Sequence, residues 1–122
     1  MTTQRCVLVV DDDAAIVDFL ETALEDEGYQ VRAAVGADAL SLARTLQPAV
    51  ILLDINMPGM DGIEVSRRPR DNPATAPIPI IVISAQGRLR ATGPLLPVND
   101  HLPKPFDLAA LYATVARWAR AA

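Results

Sequence analysis

Four short apolar runs along the chain each stop on a polar or charged residue. Cys6-Val7-Leu8-Val9-Val10 stops at Asp11 and Asp12, and Ala49-Val50-Ile51-Leu52-Leu53 stops at Asp54. Ile78-Pro79-Ile80-Ile81-Val82-Ile83 stops at Ser84, and a weaker run around His101-Leu102 stops near Lys104. Continuous apolar runs of this length, closed by a polar side chain, have the pattern of strands buried on both faces of a parallel sheet. In an open α/β sheet the ligand crevice lies outside the carboxyl ends of the strands. Residues far apart in the chain are therefore predicted to converge: the carboxylates of Asp11, Asp12 and Asp54, the hydroxyl of Ser84 and the ammonium of Lys104.

Helical patterns separate the runs, as expected for a parallel sheet with helices on both faces. Ile16, Phe19, Leu20, Ala23 and Leu24 follow helical spacing and predict a helix over 14–27, capped by Asp13 and stopped by Gly28. Residues 30–34 read as a strand and 37–46 as a helix, with Pro48 as its boundary. The loop Met57-Pro58-Gly59-Met60-Asp61-Gly62 is rich in turn residues. A helix beginning near Gly62 or Ile63 is expected to end or kink near Arg68, because Pro69 lacks an N–H. Gly87, Gly93, Pro94 and Pro97 predict a short or broken helix in 86–98. Leu108, Leu111, Tyr112, Val115 and Trp118 define the apolar face of a last helix, capped by Asp107.

The 122 residues suit one domain, and 51% hydrophobic residues exclude a disordered chain. A net charge of −4 argues against non-specific nucleic-acid binding. No apolar run reaches the roughly 20 residues of a membrane span. No signal-peptide pattern precedes the first strand, and the single Cys6 fits a reducing compartment, so a cytoplasmic location is expected.

Three carboxylates at close range repel unless a cation joins them. Oxygen-only ligands favour a hard divalent ion, and Mg²⁺ is the usual choice where water or phosphate oxygens complete the shell. With one Cys and one His, a zinc site is not in prospect. Metal and Lys104 would neutralise a phosphoryl group, Ser84 would hydrogen-bond it, and a carboxylate would attack it. Asp54 stands alone at the end of its run and is the best nucleophile, while the Asp11-Asp12 pair is better suited to metal. Taken singly, each is an ordinary strand-end, capping or turn residue; the functional reading rests on their joint placement.

The pattern resembles the response-regulator receiver domains of two-component signalling. Val7-Leu8-Val9-Val10-Asp11-Asp12-Asp13 is similar to the family's acidic-pair strand. Leu52-Leu53-Asp54-Ile55-Asn56-Met57-Pro58-Gly59-Met60-Asp61-Gly62 is similar to its phosphoacceptor strand and loop. Ile81-Val82-Ile83-Ser84-Ala85 resembles the hydroxyl motif, and Leu102-Pro103-Lys104-Pro105-Phe106 the lysine motif. The resemblance implies a doubly wound, flavodoxin-like five-stranded parallel sheet in order 2-1-3-4-5. It implies that Asp54 is phosphorylated by a sensor histidine kinase or phosphotransfer protein. Asp12 would bind Mg²⁺ directly, Asp11 mainly through water, and the Asn56 backbone carbonyl would complete the protein ligands together with Asp54. Ser84 and Lys104 would contact the phosphoryl oxygens. The Lys104-Pro105 peptide would be cis, the isomer that X-Pro bonds alone adopt readily. His101 occupies the family's aromatic switch position, coupled to Ser84; the alternative is a partly exposed strand histidine. Asn56 and Gln86 flank the site where relatives tune dephosphorylation.

The stretch between Ser84 and Lys104 is shorter and richer in Pro and Gly than the family pattern. The fourth helix is accordingly expected to be short or irregular and locally mobile, and the usual output surface to be altered. Arg67, Arg68, Arg70, Arg88 and Arg90 form a basic cluster that reads better as a solvated face than as a partner patch. The overall expectation is a single receiver domain over 1–122 without an output domain. It would be a phosphorylation-dependent switch that signals by protein contact to an unknown target, as a monomer or weak dimer. It would assist its own phosphorylation and dephosphorylation without being a turnover enzyme. The alternatives are a degenerate receiver acting as a constitutive interaction module, a metal-dependent aspartyl phosphohydrolase, for which the chain has no room for a cap, and an FMN-binding protein.

Overall fold

The computed structural model describes residues 5–35, 38–54, 69, 71–85 and 98–119. The strands are β1 (Cys6–Val10), β2 (Gln30–Ala34), β3 (Val50–Asp54), β4 (Ile80–Ala85) and β5 (Asp100–Lys104). The helices among the described elements are α1 (Ala14–Asp26), α2 (Asp38–Leu46) and α3 (Leu108–Ala119). The strands form one sheet in order β2-β1-β3-β4-β5, every neighbouring pair parallel. This is the order the family resemblance implies.

Pleat alternation sorts the strand side chains onto two faces. Val7, Val9, Leu52, Ile81, Ile83 and Leu102 pack with Leu20 and Leu24 of α1 and Leu111 and Val115 of α3. Leu8, Val10, Ile51, Leu53, Ile80 and Val82 pack with Ala43 of α2 and with Ile78. The central strands are apolar at successive positions because both faces are covered, which is why their sequence shows a continuous run.

Asp13 ends the β1–α1 turn and caps α1, its Oδ1 accepting from Ala15 N at 2.9 Å and from Ile16 N at 3.4 Å. Removing an N-cap carboxylate costs about 1 kcal/mol. Asp13→Ala is therefore expected to lose that much stability in urea melts, while Asp13→Ser retains most of it. An unchanged midpoint for Asp13→Ala would show that the cap contributes nothing.

Gly28, at φ 92°, takes the left-handed turn after α1 as expected. After α2 the same duty falls to Gln47, at φ 47°. Its amide donates to Arg44 O at 3.2 Å and Ala74 O at 3.0 Å, which holds a conformation otherwise unfavourable for a residue with a Cβ.

One local expectation is corrected. The apolar run at Ile78 does not begin the strand: β4 starts at Ile80, after Pro79, while Ile78 is buried in the turn before it. Proline cannot donate to the ladder, and Ile80 N instead donates to the side-chain oxygen of Asn99 at 3.0 Å. Helical backbone at Pro69 and Asp71 gives way to a bend at Asn72, while Arg68, where the helix is expected to end or kink, lies outside the described residues. Proline's fixed φ suits a helix, and what it removes is one donor. The expected helix start near Gly62, the 57–62 loop, the arginine cluster and 86–97 lie outside the described residues.

Candidate functional site

Four polar or charged side chains are buried among the described residues: Asp11, Asp54, Thr75 and Ser84. Three of them are strand-end residues named from the sequence. Thr75 has a local task, its hydroxyl donating to Pro69 O at 2.7 Å.

Asp11 follows β1 and Asp54 closes β3, which are adjacent strands in register at Val10 and Leu53. Lys104 closes β5. Residues 11, 54 and 104 share the pleat phase of Val9, Leu52 and Leu102, so they fall on the α1–α3 side of the sheet edge. There the three side chains converge. Lys104 Nζ stands 3.5 Å from Asp54 Oδ2, with the Asp54 side chain 7% and the Lys104 side chain 28% exposed. Asp11 lies close enough to Asp54 for the two carboxylates to meet electrostatically. Asp11 Oδ1 accepts from Asp13 N at 2.9 Å.

Burial pushes the Asp11 carboxyl up to about 6; the Asp13 amide and the Lys104 ammonium oppose this, and the nearby Asp54 carboxylate adds to it. Its second oxygen, Oδ2, is buried and has no hydrogen-bond partner. An orphaned carboxylate oxygen next to a second carboxylate is costly without a cation. The pair thus fits a hard divalent ion. Among the described residues no three acidic, His or Cys side chains stand ready as a cage. The buried carboxylate pair matches Mg²⁺, which takes one or two carboxylates and keeps several waters.

The other predicted residues divide. Asp12 is exposed, in the bend that follows β1 directly after Asp11. Ser84 is fully buried, and its register partner is Pro103, one step out of phase with Lys104. It therefore sits at the same sheet edge as Asp54 but on the α2 side of the pleat. His101 is exposed on β5, paired in register with Val82. The Lys104-Pro105 bond is cis, as the resemblance implies. Asn56 and Gln86 lie outside the described residues.

Phe106 carried no role in the sequence motifs, yet its ring centroid lies 6.4 Å from that of Phe19 on α1, beside the strand end that bears Lys104. The available signal was the pair of prolines, Pro103 and Pro105, that brackets Lys104.

A fold with this strand order and a carboxylate pair facing a lysine at its edge is that of a signalling receiver. The chain belongs to the family of response regulator receiver domains, whose model matches residues 7–116. It is 45% identical over 112 residues to the response regulator PleD of Caulobacter vibrioides, covering 89% of this chain and 25% of PleD. A Chloroflexus aurantiacus protein of known crystal structure superposes with a TM-score of 0.88 at 34% identity, covering 97% of this chain and 99% of that one. The receiver domain of the sensor histidine kinase PA1611 of Pseudomonas aeruginosa superposes with a TM-score of 0.83 at 27% identity, covering 97% and 99%. That domain holds a magnesium ion in its active-site cleft. The chain spans about a quarter to half of the length of the curated relatives it matches, 25% to 49%. It is thus a receiver domain of two-component signalling. No described helix is long and apolar enough to cross a membrane.

Proposed function

We propose that this domain is a phosphorylation-dependent switch that accepts a phosphoryl group on Asp54 from a phosphohistidine of a sensor histidine kinase or phosphotransfer protein. The observation that carries it is the buried Asp11–Asp54 pair, with an orphaned oxygen on Asp11 and Lys104 Nζ 3.5 Å from Asp54. An Asp54 carboxylate oxygen attacks phosphorus as the P–N bond breaks. The electron pair leaves on the imidazole nitrogen, which takes up a proton. Lys104 holds positive charge where the phosphoryl oxygens gather, and the buried setting strengthens that interaction. Mg²⁺ would be held by Asp12, Asp54 and the Asn56 carbonyl, with Asp11 mainly through water, and would supply further charge neutralisation. Ser84 hydrogen-bonds a phosphoryl oxygen, and His101, exposed here, turns inward as Ser84 moves. The two arrangements are populations of one equilibrium that the phosphoryl group biases.

The chain acts as a single receiver unit in the cytoplasm. It signals by protein contact to a downstream target, as a monomer or weak dimer, and assists its own phosphorylation and dephosphorylation.

Incubation with a small-molecule acyl phosphate and Mg²⁺ tests the assignment. Wild type is expected to take an acid-stable, hydroxylamine-sensitive label, and Asp54→Ala none. A wild type without label would refute the switch, whereas equal labelling of Asp54→Ala would move the site elsewhere.

A further inference from the structure

Lys104 is the last residue of β5, which among the described strands is an edge strand paired with β4 alone. Its neighbours on both sides, Pro103 and Pro105, have no N–H to give to the ladder. Two backbone donors are thus missing, one on either side of the residue that carries the site's ammonium, although β5 stays in register with β4 up to Lys104. The chain just beyond it is firmly held. Asp107 caps α3, its Oδ1 accepting from Ala110 N at 2.8 Å, and Leu111 of α3 is fully buried.

Between the two lies Phe106. Its ring is partly buried against the core layer that includes Leu20, Leu24 and Leu111. It meets Phe19 of α1 at a centroid distance of 6.4 Å and an interplanar angle of 48°, within the range where tilted aromatic pairs attract. Phe19 is 43% exposed, so its substitution leaves the buried core intact. Lys104 Nζ sits at 3.5 Å from Asp54 Oδ2, longer than the roughly 2.7–2.9 Å of a typical charge-assisted bond. Its position is therefore set by the backbone behind it more than by a tight ion pair.

We infer that Phe19 and Phe106 are positioning residues for phosphoryl transfer: their ring pair braces the proline-flanked end of β5 against α1 and so fixes Lys104 at the acceptor carboxylate. The inference rests on the phosphoryl-acceptor role of Asp54. The brace acts on Lys104 alone, because Asp11 and Asp54 are held by β1, β3 and the Asp13 amide.

The test is the rate of labelling by an acyl phosphate at saturating Mg²⁺, with the Mg²⁺ midpoint read separately by thermal shift. Phe19→Ala and Phe106→Ala are expected to slow labelling about tenfold, as misplacement of a charged group by a fraction of an ångström does. Phe106→Leu and Phe19→Leu recover part of the rate, and the Mg²⁺ midpoint stays that of wild type. On a Lys104→Ala background, where the slow rate no longer depends on the lysine, Phe19→Ala has no further effect. Should Phe106→Ala fail to fold, the surface-exposed Phe19→Ala decides. Wild-type labelling with an unchanged rate in Phe19→Ala overturns the brace and leaves the acceptor role standing. So does a Phe19→Ala effect that persists undiminished without Lys104, since that marks a general structural role. A wild type that takes no label removes the acceptor role and the brace together.

Discussion

Asp11→Asn is expected to stabilise the metal-free domain at pH 7 by about 2 kcal/mol and to abolish its stabilisation by Mg²⁺. The Asp11 carboxyl is raised from an ordinary 3.8 to about 6, chiefly by burial. The folded state therefore binds this proton more tightly than the unfolded chain. Stability contributed by Asp11 is complete below about pH 4, falls between about 4 and 6 as the unfolded carboxyl ionises first, and stays low above. A rise of that size corresponds to about 3 kcal/mol, at about 1.4 kcal/mol for each tenfold change in proton affinity. Asparagine keeps the oxygen that accepts from Asp13 N, and it places an amide donor where an orphaned oxygen faced a carboxylate. Urea melts from about pH 4 to 8, with and without Mg²⁺, give the difference between the two proteins as a function of pH. Wild type should lose ground to the variant as pH rises through that window and regain it only with Mg²⁺. Parallel pH profiles, or an equal response to Mg²⁺, would remove Asp11 from the metal site.

Leu52→Ala is expected to cost about 3–4 kcal/mol, a large share of the roughly 5–15 kcal/mol that holds a domain of this size. Leu52 is 1% exposed on the central strand, in register with Val9 and Ile81. Its side chain packs in the layer that includes Leu20, Leu24 and Leu111, from helices near opposite ends of the chain. That layer cannot collapse onto a smaller residue without moving β3, so the cavity remains. Val31→Ala, on the edge strand β2 and only partly buried, should cost under about 1 kcal/mol. Urea midpoints at unchanged m-value measure both. Equal costs at the two positions would contradict the layered core.

Much of this arrangement was written locally. A strand covered on both faces must be apolar at every position, so β1, β3 and β4 announced themselves as runs, and the polar residue ending each run marked the sheet edge where the carboxylates and the lysine meet. Asp13 before α1 and Asp107 before α3 were legible for a similar reason, since a cap serves its own helix within three residues. Where two local rules competed, the pattern misled. The run at Ile78 looked like strand, but Pro79 has no N–H for the ladder, and Ile78 is buried in the turn before it, its N–H donating to Thr75 O at 3.0 Å.

By itself the sequence determined the parallel sheet, its helices and the set Asp11, Asp54 and Lys104, because strand burial and strand-end polarity are one-dimensional patterns. The tertiary structure alone decided how those residues face one another. Pleat phase put Asp54 and Lys104 on the α1–α3 side and Ser84 on the other, a distinction that depends on which strand residues pair. Packing left Asp11 Oδ2 without a hydrogen-bond partner and set Phe19 against Phe106, residues near opposite ends of the chain. It also brought Trp118 Nε1 to Asp100 Oδ2 at 2.7 Å, tying the end of α3 to the start of β5. Such contacts arise from the angle at which helices cross a twisted sheet. That angle is fixed by the whole core at once, and no local stretch of residues carries it.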